Sequence, residues 1–195
     1  MQAKPRKRMD AGSRRELILE QAKNLFAERG YAATSIDDIA AASGVTKPVV
    51  YDHFASKRDL YVALMKRLRD ALLQQAAADL RTANSPHEAF QHAIESFYAI
   101  VKRDPAIVQL LFVQARNQPE LLKEWERLQA EAISQIKPLA RALAPKLEAW
   151  QISVFVHFLH HGLNSTVEVW PKQISVKQMA DFVAQLVWKG LAGVD

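Results

Sequence analysis

The segment from residue 34 to residue 60, TSIDDIAAASGVTKPVVYDHFASKRDL, constrains the fold of this chain more than any other. Its apolar residues recur at helical spacing, and Gly44 separates two short helical stretches. Ser56 followed by Asp59 predicts the start of a further helix, because each side chain can bond to a free backbone N–H of the other residue. Two short helices joined by a tight turn are typical of a helix-turn-helix, which predicts binding to DNA.

The rest of the chain also has the pattern of helices. Ser13 followed by Glu16 predicts a capping box that opens the first helix, and Gly30 predicts its end. Ser85 and Pro119 predict the starts of two later helices, since serine caps helices and proline is tolerated in a first turn. No useful β-type alternation appears, so we expect an all-α fold of about nine helices.

The change of pattern along the chain predicts three regions. Residues 1–12 form a basic flexible arm, residues 13–58 form the helix-turn-helix DNA-binding domain, and residues 59–195 form a larger helical domain. A chain of 195 residues with 49% hydrophobic residues is long enough to bury a core in such domains.

Composition excludes several classes of protein. The sequence has no cysteine, which excludes disulfides and thiolate metal sites. No apolar run approaches about 18 residues, and the basic N-terminus is followed by no apolar signal region. We therefore expect a cytoplasmic protein that does not associate with a membrane.

Positive charge is concentrated at the N-terminus. Residues 1–15 carry six positive charges and one negative charge, which equals the net charge of +5 for the whole chain. A basic arm on a neutral body favours an anionic partner, although a solubilising tail has the same composition. Arginine-rich arms of some DNA-binding families enter the minor groove, and Arg6, Lys7 and Arg8 are the candidates here.

The second helix of the motif, over residues 46–54, has two different faces. Val50 and Phe54 are four residues apart and apolar, so we expect them to pack inward. Lys47 and Tyr51, also four apart, share another face with His53 nearby. A lysine can pair with a phosphate or a guanine edge, and a tyrosine hydroxyl can donate to a phosphate.

Helix starts supply further candidates. Thr34 and Ser35 stand at the start of the first helix of the motif, and Lys57 stands at the start of the helix that follows it. Free N–H groups at such positions bind phosphate. Pro48 offers an apolar contact for a thymine methyl group.

These residues resemble the DNA-binding domain of the TetR family of bacterial one-component regulators. The resemblance covers about 50 residues and rests on the run GYAATSIDDIAAASGVTKPVVYDHFASKRDLYVALM. It implies DNA contacts at Thr34, Thr46, Lys47, Tyr51, His53 and Lys57. Pro48 and Asp52 depart from the family's common pattern, which leaves the operator sequence open. The alternative is a three-helix packing module with a coincidental turn.

The resemblance also implies a dimer. The last two long helices are expected to pair with their copies in a four-helix interface, which would present two recognition helices about one DNA turn apart. The alternative is that these helices form an ordinary monomer core. The predicted interface residues are Phe155, Val156, Leu159, Met179, Phe182, Val183 and Leu186.

A ligand pocket in the larger domain is the third implication. An apolar cavity with a few polar anchors suits a small hydrophobic inducer such as an acyl chain, a drug or an aromatic compound. Each aromatic residue has ordinary core packing as its alternative. The predicted ligand-binding residues are Phe97, Tyr98, Phe112, Trp125, Phe158, His161 and Asn164.

Metal binding is not expected. His157 and His161 are four residues apart on a helix, a spacing that can bind a metal, but the sequence contains no His-Glu-x-x-His pattern. Hydrogen-bonded core or pocket histidines are the simpler interpretation.

The sequence therefore predicts a ligand-responsive, dimeric repressor that binds a palindromic double-stranded DNA operator and is released by the inducer. No nucleophile–base motif, phosphate-binding glycine loop or paired-carboxylate pattern appears, so we expect neither enzymatic activity nor a cofactor. The alternatives are a transcriptional activator, an architectural DNA-binding protein without an inducer, and an enzyme with a DNA-binding appendage.

Overall fold

The computed structural model describes residues 10–192, apart from the side chains of residues 112, 191 and 192. Within this range the fold is all helical and has no β-strand, which confirms the predicted fold class. The helices are α1 (Ala11–Arg29), α2 (Ile36–Ala42), α3 (Lys47–His53), α4 (Lys57–Thr82), α5 (Pro86–Arg103), α6 (Ala106–Val108), α7 (Pro119–Leu143), α8 (Ala149–Glu168) and α9 (Val176–Ala192). None of these described helices is long and apolar enough to cross a membrane.

The chain divides into two compact units. The first unit comprises residues 1–64, of which residues 10–64 are described, and the second comprises residues 65–195. This division falls within α4, as does the boundary between residues 58 and 59 that the sequence predicts. The three predicted regions remain a prediction about which segments act as domains.

Aromatic residues form the centre of the first unit. The rings of Phe26 and Tyr31 have centroids 5.7 Å apart, and the Tyr61 ring lies 5.0 Å from each of them. All three side chains are buried, and burial raises the pKa of Tyr61 above its ordinary value. This cluster joins the C-terminal part of α1 to the beginning of α4, because Phe26 lies on α1 and Tyr61 on α4.

The first helix begins earlier than the sequence analysis predicts. Its N-cap is Asp10, whose Oδ1 accepts a hydrogen bond of 3.0 Å from the Ser13 backbone N–H. The Ser13 hydroxyl donates to the same carboxylate at 2.6 Å. Ser13 therefore lies inside the first turn, and the predicted capping box with Glu16 does not open this helix. Aspartate and serine are both strong N-cap residues, and the aspartate occupies the earlier position.

The second unit has its own core. Residues from α5, α7, α8 and α9 pack together in it, including Phe90, Ile133, Val156, Ala180 and Val183. Tyr98 is fully buried on α5, and its hydroxyl forms a hydrogen bond with Thr166 Oγ1 of α8 at 2.5 Å.

A π-helical turn over Gln109–Gln114 follows α6. No residue in the apolar run from Ala106 to Gln114 signals this wider turn. Trp125 of α7 donates a hydrogen bond of 2.7 Å from its indole Nε1 to the Leu111 carbonyl in this turn. Such turns are often found at functional sites.

Candidate functional site

Helix α3 presents a polar face on an apolar support. Val50 and Phe54 are buried, as their spacing predicts, whereas Thr46, Lys47 and Pro48 are exposed. Gly44 has a φ of +64°, a left-handed conformation that closes the turn between α2 and α3. The geometry of a helix-turn-helix is therefore in place, with the start of its second helix facing outward.

Lys47 carries the positive charge of this face. Its Nζ donates a hydrogen bond of 2.8 Å to Asp37 Oδ2 at the beginning of α2. This bond and the charge of Asp37 raise the pKa of Lys47, so the ammonium group is protonated at neutral pH. Both side chains are exposed, and exposed ion pairs are weak. A phosphate can therefore replace Asp37 as the partner of Lys47.

The other predicted contacts on α3 have mixed surroundings. The Tyr51 side chain is 44% exposed, and Thr46 is the N-cap residue but makes no side-chain capping bond. His53 is half-buried, with its ring centroid 6.4 Å from that of Phe54.

Thr34 lies inside the first unit, and this differs from its predicted role. It is 1% exposed, and its hydroxyl donates to the Gly30 carbonyl at 2.8 Å and to the Leu25 carbonyl at 3.3 Å. These bonds fasten the end of α1 to the start of α2. The hydroxyl is therefore engaged with the backbone, and a DNA contact at Thr34 stays a prediction.

Lys57 is also hydrogen-bonded to backbone carbonyl groups of the first unit. Its Nζ donates to the Tyr31 carbonyl at 3.0 Å and to the Thr34 carbonyl at 3.1 Å. The same ammonium group lies 4.4 Å from the centre of the Tyr31 ring, a cation–π contact. These contacts hold the loop after α1, and the phosphate clamp at Lys57 stays a prediction.

Ser35 caps α2. Its Oγ accepts a hydrogen bond of 3.1 Å from the Asp38 backbone N–H, and the Asp38 carboxylate accepts one of 2.9 Å from the Ser35 backbone N–H. Hydrogen bonds from Ser35 lower the pKa of Asp38. The capping box thus occupies the backbone N–H groups of Ser35 and Asp38. The arm residues Arg6, Lys7 and Arg8 lie outside the described residues.

A cavity of about 170 Å³ lies within the second unit. Its described walls come from α4, α5, α7, α8 and the π-helical turn, and most of them are apolar. Three of the predicted ligand-binding residues, Phe97, Trp125 and Asn164, line it. The side chain of Phe112 lies outside the described residues.

The remaining predicted ligand-binding residues lie elsewhere. Tyr98 is buried in the core beside the cavity and is absent from its described lining. Phe158 is 65% exposed and His161 is exposed, so both lie on the outer surface of α8. For Phe158 and His161 the difference arises because α8 is apolar on nearly every side, so its sequence does not indicate which face turns inward. Ligand binding by Tyr98, Phe158 and His161 stays a prediction.

His160 is the histidine that lines the cavity, and the sequence analysis missed it. Its Nε2 forms a hydrogen bond of 3.0 Å with Oε1 of Gln129, which also lines the cavity. Burial, followed by the nearby His161 and His157, lowers the pKa of His160 to about 4. The imidazole is therefore neutral at pH 7. The signal that could have found it is its position four residues before Asn164, a predicted ligand-binding residue on the same helix face.

Arg69 brings a charge to the cavity wall, where its side chain is 13% exposed. Its Nη1 donates to Glu131 Oε2 at 2.7 Å, and its Nη2 donates to Asp70 Oδ1 at 2.7 Å. Although burial lowers its pKa, these hydrogen bonds outweigh burial and raise it. The guanidinium is thus charged and paired with two carboxylates. The sequence analysis also missed this residue.

Large apolar side chains are exposed on α8 and α9 of the second unit. Trp150, Val154 and Phe158 repeat at intervals of four along α8, and Phe182 and Leu186 repeat likewise along α9; each is more than 60% exposed. We refer to these five residues as the outer apolar face. Large exposed apolar patches are typical of protein interfaces.

This face differs from the predicted interface. Phe182 and Leu186 were predicted and lie on it. Phe155, Val156, Met179 and Val183 are buried in the core of the same unit, and Leu159 lines the cavity. Those five residues lie on the inner side of the same two helices, and their part in an interface stays a prediction.

The predicted metal alternative finds no support in the described residues. They contain no group of three or more histidine, cysteine, aspartate or glutamate side chains placed to hold a metal ion. His157 Nδ1 forms a hydrogen bond of 2.7 Å with the Ser153 carbonyl of its own helix.

This chain is similar in sequence to known DNA-binding regulators. Residues 18–64 match the family of bacterial regulatory proteins, tetR family. The HTH-type transcriptional activator FasR of Mycolicibacterium smegmatis is 36% identical over 105 residues, which cover 54% of this chain and 48% of that protein. The HTH-type transcriptional repressor KstR2 of the same species is 33% identical over 136 residues, which cover 63% of this chain and 66% of that protein. The chain thus spans about half to two thirds of these relatives.

One solved structure extends the likeness over both units. A TetR-like transcriptional regulator from Rhodococcus sp. RHA1 superposes with a TM-score of 0.76 at 26% identity, covering 95% of this chain and all of that one. The family match falls on the helix-turn-helix, and the structural likeness adds the helical second unit. The chain belongs to the TetR family of bacterial transcriptional regulators.

Proposed function

We propose that this protein is a dimeric, ligand-responsive transcriptional repressor. The observation that carries the proposal is the arrangement of α3, which rests on buried Val50 and Phe54 and turns Lys47 and Tyr51 outward. An amphipathic second helix after a tight turn is the element that enters the major groove in helix-turn-helix proteins.

The proposed DNA contacts are the exposed or half-exposed residues around α3. Lys47 pairs with a phosphate or a guanine edge, and Tyr51 donates to a phosphate. The side chains of Thr46, Pro48 and His53 complete the surface, and Ser35 reaches the backbone from the start of α2. Since Thr34 and Lys57 are bonded to carbonyl groups of their own unit, they support this surface from within.

We propose that the outer apolar face joins two copies of the chain. Burying Phe158, Phe182 and their neighbours against a second copy removes them from water, which is favourable by roughly 25 cal/mol per Å² of apolar surface. A two-fold dimer presents two copies of α3 to a palindromic operator, with each copy in its own half-site.

The cavity is the proposed effector site, and α4 is the proposed route of response. Leu60 and Tyr61 on this helix pack in the core of the first unit, whereas Arg69 and Leu72 line the cavity in the second. A hydrophobic effector that moves the cavity wall therefore moves a helix on which the DNA-binding unit depends. Ligand and operator then bind in opposition.

The sign of regulation has a second candidate, because FasR is named an activator while KstR2 is named a repressor. A reporter gene behind the bound DNA site distinguishes the two. Repression predicts higher expression when the regulator is deleted, and activation predicts lower expression.

The test of the DNA-binding proposal begins with selection of a DNA site from a randomised duplex pool by the full chain. Fluorescence anisotropy then compares the selected duplex with random DNA, using Lys47→Ala and, as a matched control, Lys123→Ala at an exposed site of α7. We expect the selected site to bind at least about 1,000-fold more tightly than random DNA. Lys47→Ala should lose about tenfold or more, and the control should stay within about twofold. Equal affinity for both duplexes would favour the architectural alternative.

A further inference from the structure

We propose that the cavity of the second unit selects an uncharged, mostly apolar molecule of about the size of benzene or a heptyl chain, bound through one neutral oxygen. This inference rests on the proposed function, which makes the cavity the effector site. The size follows from the cavity volume of about 170 Å³, since an apolar cavity of roughly 150 Å³ accommodates benzene.

The charges around the cavity favour a neutral ligand. Arg69 is the one permanently charged side chain in the described lining, and it is already held by Asp70 and Glu131. A ligand carboxylate would have to displace one of these partners to obtain a counter-charge. A ligand cation would find no carboxylate in the described lining. A buried charge without a partner is strongly unfavourable, so both kinds of ligand are disfavoured.

Glu131 is itself fixed in place. Its Oε1 accepts a hydrogen bond of 2.6 Å from Arg127 Nη1, while its Oε2 accepts the bond from Arg69. Arg127 is held in turn by Glu124 at 2.7 Å. Displacing Glu131 from Arg69 would therefore disturb a chain of ion pairs along α7.

The polar end of the cavity offers neutral hydrogen-bonding groups. Gln129 Oε1 accepts from the neutral His160 ring through Nε2–H, which leaves the Gln129 amide N–H groups as donors. Asn164 adds a second amide to the lining. Amide donors suit the oxygen of an alcohol, a ketone or an ester, because such an oxygen accepts hydrogen bonds without bringing a charge.

The experiment measures binding of three molecules with the same chain to the full-length protein at pH 7: heptan-1-ol, heptanoate and heptylammonium. Isothermal titration calorimetry at constant ionic strength gives the three dissociation constants. We expect heptan-1-ol to bind at least about tenfold more tightly than either ion, because the ions lack a counter-charge in the cavity. Tighter binding of heptanoate or heptylammonium than of heptan-1-ol would overturn the inference while leaving the effector site in place.

Substitutions in the cavity wall and at Glu131 show whether the three molecules bind in the cavity. Ala93→Phe fills the cavity and should abolish binding of heptan-1-ol, and Ala76→Phe on α4 serves if the first variant does not fold. Glu131→Gln removes one carboxylate from Arg69, so it should strengthen heptanoate binding at least about threefold and leave heptan-1-ol unchanged. Unchanged heptanoate binding in this variant would contradict the role given to Arg69.

The outcomes separate this inference from the proposed function. If none of the three molecules binds the wild-type protein, or if all three bind equally well to the cavity-filled variant, the neutral-ligand inference fails together with the cavity as their binding site, while the DNA-binding proposal keeps its own test. If an ion binds best and the cavity-filled variant loses it, the proposed function survives and the neutral-ligand inference alone is wrong.

Discussion

The surface of α3 and the outer surface of α8 and α9 are both exposed, yet their chemistry is opposite. Around α3 the exposed side chains include Lys47 and Tyr51, and the polar groups that lie deeper, on Thr34 and Lys57, hold backbone carbonyls. Along α8 and α9 the exposed side chains include the five large apolar ones of the outer apolar face, while the polar Gln129 and His160 line a cavity. The first arrangement suits a charged polymer, whereas the second suits a second copy and an apolar ligand.

This contrast shows that exposure alone does not indicate a partner. The partner of each surface follows from the structure that supports it. In the first unit, a small aromatic core supports a polar helix. The second unit contains a cavity and carries the outer apolar face. Four experiments test the contrast, in order of decreasing expected effect.

The largest effect is expected at the outer apolar face. Phe182→Glu places two charges in a two-fold interface, so the protein should change from a dimer to a 22.0 kDa monomer in sedimentation equilibrium at micromolar concentration. Leu122→Glu is the control, since Leu122 is a partly exposed leucine on α7. A dimer that survives Phe182→Glu would show that the apolar face serves another partner.

Acid should weaken the second unit before the first. The unfolded chain binds a proton at His160 near pH 6.5, whereas the folded chain binds it only near pH 4, so stability falls as the pH drops between these values. The loss approaches on the order of 3 kcal/mol at pH 4, because each pKa unit corresponds to about 1.4 kcal/mol. In the first unit, the pKa of Asp38 is lowered below its ordinary value of 3.8. The stability that this carboxylate contributes is therefore lost only at a pH below 3.8.

Urea denaturation at pH 7 and at pH 4.5 measures this effect. His160→Gln retains a polar side chain without a titrating group, so the variant should lose less stability than the wild-type protein over this interval. Equal losses in both proteins would contradict the buried, neutral state of His160.

Two lysines of the first unit should separate DNA binding from stability. Lys47→Ala is expected to cost about 1–3 kcal/mol of DNA-binding free energy and to reduce the slope of affinity against salt by about one charge. Lys57→Ala should instead lower the free energy of unfolding by about 1–3 kcal/mol, since it removes charge-assisted bonds to the carbonyls of Tyr31 and Thr34. For both variants, fluorescence anisotropy at two salt concentrations measures the DNA affinity, and urea denaturation measures the free energy of unfolding. A reversed pattern would restore Lys57 as a phosphate clamp.

The smallest effect compares two helix caps, one in each unit. Ser35 and Ser85 each accept a bond of 3.1 Å at the start of their helices, so substitution of either by alanine should cost about 1 kcal/mol of stability. Only Ser35→Ala should also weaken binding to the selected DNA, beyond the change that stability explains. Equal DNA affinity of the two variants would remove Ser35 from the interface.

Much of this architecture is predictable from sequence because caps and spacing act locally. The start of α5 at Ser85 and the inward positions of Val50 and Phe54 follow from contacts within one or two helical turns. Local patterns indicate less where the contacts of a residue are distant in sequence. The carbonyl partners of Lys57 lie more than twenty residues away, so nothing near this lysine distinguishes a phosphate clamp from an internal anchor.

The cavity and the apolar face illustrate a second limit. Helix α8 is apolar on both sides because one side faces the core and the other faces outward, and its periodicity does not distinguish them. Phe158 and His161 were therefore assigned to the cavity, while His160 was missed. The π-helical turn after α6 also shifts the register in a way that no residue signals.

The most direct test of the account is the affinity for the selected duplex with and without heptan-1-ol, at a concentration that saturates the cavity. The account predicts that the ligand weakens DNA binding about 5- to 150-fold, which corresponds to a coupling free energy of about 1–3 kcal/mol. The cavity-filled Ala93→Phe protein should bind the duplex equally well in both conditions. Undiminished DNA affinity of the wild-type protein, with ligand occupancy verified by calorimetry, would contradict the claim that ligand and operator bind in opposition.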